Sequence, residues 1–330
     1  DLDSAMIPTF SQLLPTGLGP EGLLAIPGRD LLVVSSEVDD PPFGVRATVS
    51  IYQRGSGAAG TPDIVGASGP DGVPIPWSAL SGLTADPSDP SILHAVWDSY
   101  YSPSHVFTID VSTDPATVIS AVALSKDGEP AGYDLEGIAL DGAGGYWLAS
   151  EGNVTGSLAT TPNLLVHVDG DGVVLEEVGL PDIVEQCRAA TVEITDPDDD
   201  DAVAFARELR YGFEGVTVDR LGLLLVAQQR GWTFADVSIE TEDGLVDCAD
   251  LSDTPGTTNI WTYDPTAESW STTDYELEAT PQNASWVGLS EVTALSDGTV
   301  VLIERDNRTG DFAERKTLVR TSIVGPVILH

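Results

Sequence analysis

Asp134-Leu135-Glu136-Gly137-Ile138-Ala139-Leu140-Asp141-Gly142-Ala143-Gly144-Gly145-Tyr146-Trp147-Leu148-Ala149-Ser150-Glu151 reads as a polar turn, a short apolar strand, a glycine-rich turn, a second apolar strand and a second polar turn. Four other stretches repeat the plan. Pro20-Glu21-Gly22-Leu23 leads to Ser35-Ser36-Glu37, and Leu80-Ser81-Gly82-Leu83 leads to Val96-Trp97-Asp98. Phe213-Glu214-Gly215-Val216 leads to Gln228-Gln229-Arg230, and Leu289-Ser290-Glu291-Val292 leads to Ile303-Glu304-Arg305. Short apolar runs bounded by turn residues read as strands buried on both faces. A supersecondary unit recurring in this way marks a propeller or a solenoid.

Each unit carries two further, more alternating strands. Leu164–Val168 and Val173–Glu176 flank Asp169-Gly170-Asp171-Gly172, and Ile260–Tyr263 precedes Trp270–Thr273. Asp-Gly between alternating runs is a hairpin signal. Four antiparallel strands per unit around an axis make a propeller blade. The expected fold is therefore an all-β propeller of four-stranded blades, five in number with six as the alternative, in a single domain over residues 1–330. The termini, Met6 to Leu14 and Val324 to His330, are expected to complete one shared blade. The repeat lengthens after Glu136 and again after Glu214, which places insertions at 183–210 and 231–256. The first holds the run Asp196 to Asp201 ahead of Ala202–Arg210, which reads as a short helix with acids at its positive end and Arg207 and Arg210 at its far end.

Composition bounds the partners. The 330 residues carry 53 acids against 14 bases, a formal net charge of -39. Such a surface repels nucleic acids and anionic membranes, and both are excluded as partners. No apolar run approaches the ~20 residues needed to span a bilayer. The chain begins like a processed or excised mature domain. The acids suit solvation in salty surroundings, and a subset suits divalent cations. Cys187 and Cys248 are the only cysteines, one in each insertion. An even count in a lysine-poor, extracellular-type chain predicts one disulfide, here holding a lid over the opening.

Strand direction then predicts where chemistry gathers. The second strand of each unit returns beside the turn that opened the first, so both polar turns sit at one end of the propeller. Glu21, Glu37, Asp98, Glu136, Glu151, Glu214, Glu291 and Glu304 are expected to converge there with Arg230 and Arg305. So many carboxylates need a counter-charge. Glu136, Glu214 and Glu291, with Arg230 and Arg305, are the candidate catalytic residues, and Glu21, Glu37, Glu151 and Glu304 the candidate ligands for Ca2+. The competing structural reading has each opening Glu bonded to backbone amides of a neighbouring blade. His94, His105, His167 and His330 lack metal spacing, and Ser150 and Ser290 have no histidine in reach. Trp97 and Trp147 sit in strand patterns and suit blade packing.

Asp134 to Leu140, Trp147 to Glu151, Leu164 to Gly172, Phe213 to Val218 and Leu289 to Leu295 resemble the phytase-like propellers described as having esterase-like activity. The buried strand ending in Glu304-Arg305-Asp306 is the most specific element of the resemblance, which is best from about 130 to 320. Gly19-Pro20-Glu21-Gly22 also resembles propeller modules found beside secreted bacterial phosphatases. The resemblance implies a secreted prokaryotic protein acting on a small-molecule phosphate ester. A calcium-assisted phosphoesterase is the first expectation. A non-catalytic extracellular scaffold with structural calcium, or a calcium-dependent lactonase or sugar-ester hydrolase, are the alternatives.

Overall fold

The computed structural model describes residues 14, 16–39, 47–55, 64–69, 72–99, 101–155, 158–242, 244–309, 312–323 and 327–328. Among them the strands form five sheets and three two-stranded ribbons. The first sheet holds β1 (Pro20–Ile26), β2 (Leu31–Ser36) and β3 (Thr48–Gln53). The second holds β4 (Ile64–Gly66), β5 (Leu80–Ala85), β6 (Ile92–Trp97), β7 (His105–Asp110) and β8 (Ala116–Ala123), with β4 added parallel to β8. A ribbon of β9 (Ser125–Lys126) and β10 (Glu129–Pro130) follows. The third sheet is β11 (Leu135–Leu140), β12 (Tyr146–Ser150), β15 (Leu164–Val168) and β16 (Val174–Gly179) in that order, with a ribbon of β13 (Asn153–Val154) and β14 (Thr160–Thr161) inserted.

Two helices come next, α1 (Asp182–Glu193) and α2 (Asp200–Arg207), then a 3-10 turn at Glu208–Arg210. The fourth sheet is β17 (Phe213–Val218), β18 (Leu224–Gln228), β21 (Thr257–Asp264) and β22 (Ser269–Glu276). The ribbon of β19 (Ser238–Thr241) and β20 (Gly244–Asp247), with a 3-10 turn at Cys248–Leu251, is inserted into it. The fifth sheet is β23 (Val287–Ala294), β24 (Thr299–Asp306) and β25 (Lys316–Ser322). Val327–Ile328 (β26) extend the fourth sheet beyond β22. The remainder of the expected shared terminal blade, apart from Leu14, lies outside the described residues.

The architecture is all-β and propeller-like. Sheets pack face to face through apolar layers. Val96, Leu135 and Leu148 lie between the second and third, Trp147, Phe213 and Trp261 between the third and fourth, and Leu225, Leu289 and Leu302 between the fourth and fifth. The hairpin after β15 closes as expected, with Asp169 Oδ1 accepting the amides of Asp171 and Val173 and Gly172 at φ 81°. The helix expected from Ala202 begins earlier, because Asp199 caps it by accepting the amides of Asp201 and Ala202. Helix α1 has no counterpart among the sequence expectations.

The opening segments are not turns. Each lies inside the innermost strand of its sheet and forms a bulge, at Glu21, Ser81, Glu136, Glu214-Gly215 and Ser290. A bulge inserts one extra residue, bends the strand and re-aims a side chain. The glycines beside these bulges have a packing reason. A Cβ on Gly82 would stand 2.8 Å from Gly137 Cα, one on Gly137 would stand 2.7 Å from the Glu214 carbonyl oxygen, and one on Gly215 would stand 2.7 Å from Glu291 Cα. Strands β5, β11, β17 and β23 thus meet side by side through nearly bare backbone. The first sheet differs. Gly22 faces Ser35 of its own sheet, and β1 is exposed from Pro20 to Ala25.

No helix among the described residues is long and apolar enough to cross a membrane.

Candidate functional site

One hydrogen bond recurs at the same end of four sheets. The amide just past the second strand donates to the carbonyl two residues before the bulge: Glu37 to Gly19 (2.9 Å), Asp98 to Ala79 (3.0 Å), Glu151 to Asp134 (2.8 Å) and Gln229 to Gly212 (2.8 Å). Both polar segments of a unit therefore share one edge. Because β5, β11, β17 and β23 abut, the edges of the second to fifth sheets meet.

Acids crowd that meeting point. Asp98, Asp134 and Glu136 each offer an oxygen within 4.8 Å of one another. Ser81 Oγ donates to Glu136 Oε2 across the gap between sheets. Glu151 Oε1 accepts the Gly212 amide at 3.0 Å. Glu214, 5% exposed, accepts from Gln229 Nε2. Glu291 occupies the position where the other units have glycine, and its carboxylate lies against Gly215, Oε1 accepting the Val292 amide at 2.8 Å.

Burial is the largest influence on these groups, and it disfavours their charged forms. It raises Glu291 to about 7. Glu136 rises to about 7 and Glu151 to about 8 through burial and then through neighbouring carboxylates, against the Ser81 hydroxyl and the Gly212 amide respectively. Glu214 rises well above its ordinary value, from burial and then from Glu136 and Glu151, with Arg305 opposing. Asp134 is also raised, mainly by burial. The acids thus hold protons near neutrality, a condition suited to general acid–base work.

Cations stand along one side. Arg305 Nη2 is 4.0 Å from Glu214 Oε1, and Arg305 Nε donates to Ser290 Oγ at 3.2 Å. Its guanidinium lies 5.2 Å from the Trp286 ring centre. Arg230 sits 5.6 Å from the same ring and 4.7 Å from that of Tyr211, and pairs with Glu208. Arg210 covers Tyr211 at 4.8 Å. Guanidinium over an aromatic face is attractive and leaves the planar donors free at their edges. Arg230 and Trp286 also border a polar cavity of ≈ 260 Å³ with Thr257, Glu278, Thr280 and Ser285.

The insertions brace this side. Cys187 of α1 and Cys248 are joined, with Sγ–Sγ 2.00 Å. Beside the bond, buried Arg188 donates to the Leu209 carbonyl at 3.0 Å and lies 5.0 Å from the Trp232 ring centre, and Trp232 Nε1 donates to the Tyr211 carbonyl at 3.0 Å. Glu185 of α1 accepts the Asn163 amide at 3.1 Å, and Asn163 Oδ1 accepts the amides of Gly152 and Phe213.

Three expected members stand apart. Glu304 is fully buried on the opposite face of β24 from Arg305, as alternation along a strand demands. It accepts from the Glu278 amide (3.2 Å) and Tyr275 Oη (3.3 Å) and pairs with Arg315 (3.1 Å). Glu21 and Glu37 lie exposed on the first sheet. Among the described residues no side-chain hydrogen bond or ion pair joins either to the cluster. Glu136, Glu151, Glu214, Glu291, Arg230 and Arg305 are brought together. Asp134, Arg210, Tyr211, Gln229 and Trp286 join them unforeseen. A sequence signal existed for two: Asp134 lies two residues before the repeat mark, and Trp286 lies four before Ser290 as Trp77 lies four before Ser81.

No curated protein matches the chain. Among solved structures, a candidate 6-phosphogluconolactonase from Bacteroides fragilis is similar over 76% of this chain and 71% of that one, with 10% identity and a TM-score of 0.33. The family model for phytase-like proteins, described as "esterase-like activity of phytase", matches residues 75–326, which hold the innermost strands of all four meeting sheets and every residue of the cluster. The chain belongs to the phytase-like family.

Proposed function

We propose that the chain is a secreted hydrolase of small-molecule phosphate esters, working with calcium at the shared edge of a five-bladed propeller. The observation that carries the reading is the meeting of buried, proton-retaining carboxylates with a row of guanidiniums. Family membership supports a hydrolase. Five bulged inner strands, each heading a sheet, support five blades. The disulfide and the charge of -39 support an oxidising, salty exterior.

Asp98, Asp134 and Glu136 fit a hard cation, since their donors are all carboxylate oxygens close enough to share one ion. Calcium bound there would screen the acids and polarise a phosphoryl oxygen. Arg230 and Arg305 hold the other phosphate oxygens through their planar donors. Glu214 and Glu151 take the proton from an attacking water or return one to the leaving alcohol. Gln229 fixes the Glu214 carboxylate, and Trp286 fixes both arginines.

Release of p-nitrophenol from p-nitrophenyl phosphate tests this. Turnover should require calcium, stop on chelation and fall at least about 100-fold in Glu136→Gln. Chelated protein as active as the calcium-loaded form would overturn the calcium role. A lactone or carboxylate ester turned over in place of the phosphate ester would overturn the substrate class.

A further inference from the structure

A second cavity, of ≈ 340 Å³, lies between the disulfide-tied insertions and the outer strands of the fourth sheet. It includes none of the carboxylates or arginines of the cluster in its lining. Its size falls at the small end of the range for small-molecule sites and exceeds the ~30 Å³ share of one water by an order of magnitude. Helix α1 contributes Ile183 and Val184, the second insertion contributes Trp232 and Phe234, and β21 contributes Trp261.

Its charge is one-sided. Asp250, Asp253 and Asp274 line it, and among the described residues no lysine, arginine or histidine does. Asp253 is held from within: Oδ2 accepts the Trp232 amide at 2.6 Å and Gln228 Nε2 at 3.4 Å, and Oδ1 accepts Asn259 Nδ2 at 2.6 Å. Burial raises its proton affinity against these bonds, Asp274 raises it further, and no basic group opposes. Asp253 is half-buried, and a carboxylate drawn partly out of water without a cationic partner is costly.

Ligand classes can be sorted on these facts. An anion meets three carboxylates and no base. A bare metal ion leaves the aromatic and aliphatic walls unfilled. A neutral sugar supplies no charge to offset the three carboxylates, and Asn259 and Asp253 have largely committed their hydrogen-bond valence inside the protein. A cation with an apolar frame satisfies both halves, since aromatic faces and carboxylates attract it together. We propose that this cavity binds a small organic cation, its ammonium group toward Asp253 and Asp274 and its alkyl part against Trp232, Phe234 and Trp261. Gln228 Nε2, which reaches Asp253, also donates to the Arg230 carbonyl at 2.7 Å, so one side chain behind the cavity wall ties Asp253 to the backbone of the arginine row.

Calorimetric titration of the intact chain at fixed ionic strength tests this, with choline chloride and its uncharged isostere 3,3-dimethylbutan-1-ol as probes. Choline should bind saturably at one site, and the isostere about tenfold more weakly. Asp253→Asn should weaken choline binding about tenfold, and Asp274→Asn by a smaller factor. Asp274 is exposed on β22, so its variant keeps the test open if Asp253→Asn fails to fold. Absence of saturable choline binding, equal binding of the isostere, or unchanged binding in Asp274→Asn or in folded Asp253→Asn would each overturn the proposal. So would displacement by sodium chloride at equal concentration.

Discussion

Glu214 and Glu304 are both buried, on neighbouring sheets, at 5% and 0% exposure, and they are solved in opposite ways. Glu304 has a full complement: Arg315, Tyr275 and the Glu278 amide. Two residues along the same face, Asp306 has Lys316 and the amides of Arg308, Glu314 and Arg315. Burial alone would raise Asp306, but these partners prevail and hold it at about 2. Glu214 has Gln229 and a distant Arg305, and its other close charges are Glu136, Glu151 and Glu291. A satisfied buried acid belongs to the framework. An unsatisfied one among like charges is kept at a cost to stability, and such groups concentrate at functional sites.

The sharpest break in this comparison is mutational. Glu304→Ala leaves Arg315 with Glu278 alone, at 3.7 Å, takes the acceptor from Tyr275 Oη and the Glu278 amide, and should cost about 3 kcal/mol of stability in denaturant titration. Glu214→Gln should change stability by less than about 1 kcal/mol, because the amide is close in shape to the protonated acid and its oxygen can still accept from Gln229. Equal losses in the two variants would erase the distinction.

Activity separates them next. Glu214→Gln should lower phosphate-ester turnover about 100-fold with the fold intact. Glu304→Gln, assayed below its unfolding temperature, should retain turnover within about threefold. A reversed pattern would move the chemistry to the far face of β24.

The smallest effect is a pH dependence of opposite sign. Glu136 and Glu291 at about 7 and Glu151 at about 8 bind protons more tightly folded than unfolded. Their contribution is fully present below the unfolded value near 4.5 and is lost as pH rises through 7 to 8. Asp306 behaves the other way, contributing above 3.8 and losing that contribution as pH falls through about 2. The melting temperature should therefore fall between pH 5 and pH 8, and calcium should raise it more at pH 8 than at pH 5. A melting temperature that climbs across that interval without calcium would contradict the assignment of the proton-retaining acids.

Much of this was legible in the sequence. Leu-Glu-Gly and its variants marked the innermost strands, the hairpin turns announced themselves through Asp-Gly, and Cys187 with Cys248 joined two insertions. Glu136, Glu214 and Arg305 were placed by strand direction alone. The bulges were not legible, because register belongs to a strand pair and the pattern of one strand does not contain it. Glu304 was misplaced although period-2 alternation already puts it opposite Arg305. Tyr211 and Trp286 escaped because aromatic residues beside strands usually report packing, and the arginines that give them another use, Arg230 and Arg305, come from other strands' ends, with only Arg210 adjacent to Tyr211 in sequence. The first sheet kept the repeat's wording without its packing: Leu23 and Leu24 remain 72% and 58% exposed.

The bare-backbone seam through Gly82, Gly137 and Gly215 has one more outcome. Strands in van der Waals contact along their main chains have no slack, so the acids mounted on them cannot ease their repulsion by drifting apart. The rim behaves as a capacitor with fixed plates. It can discharge only by exchange with solvent: a cation admitted there would drive protons off the raised carboxyls, and the quantity of acid released would count those that were still protonated.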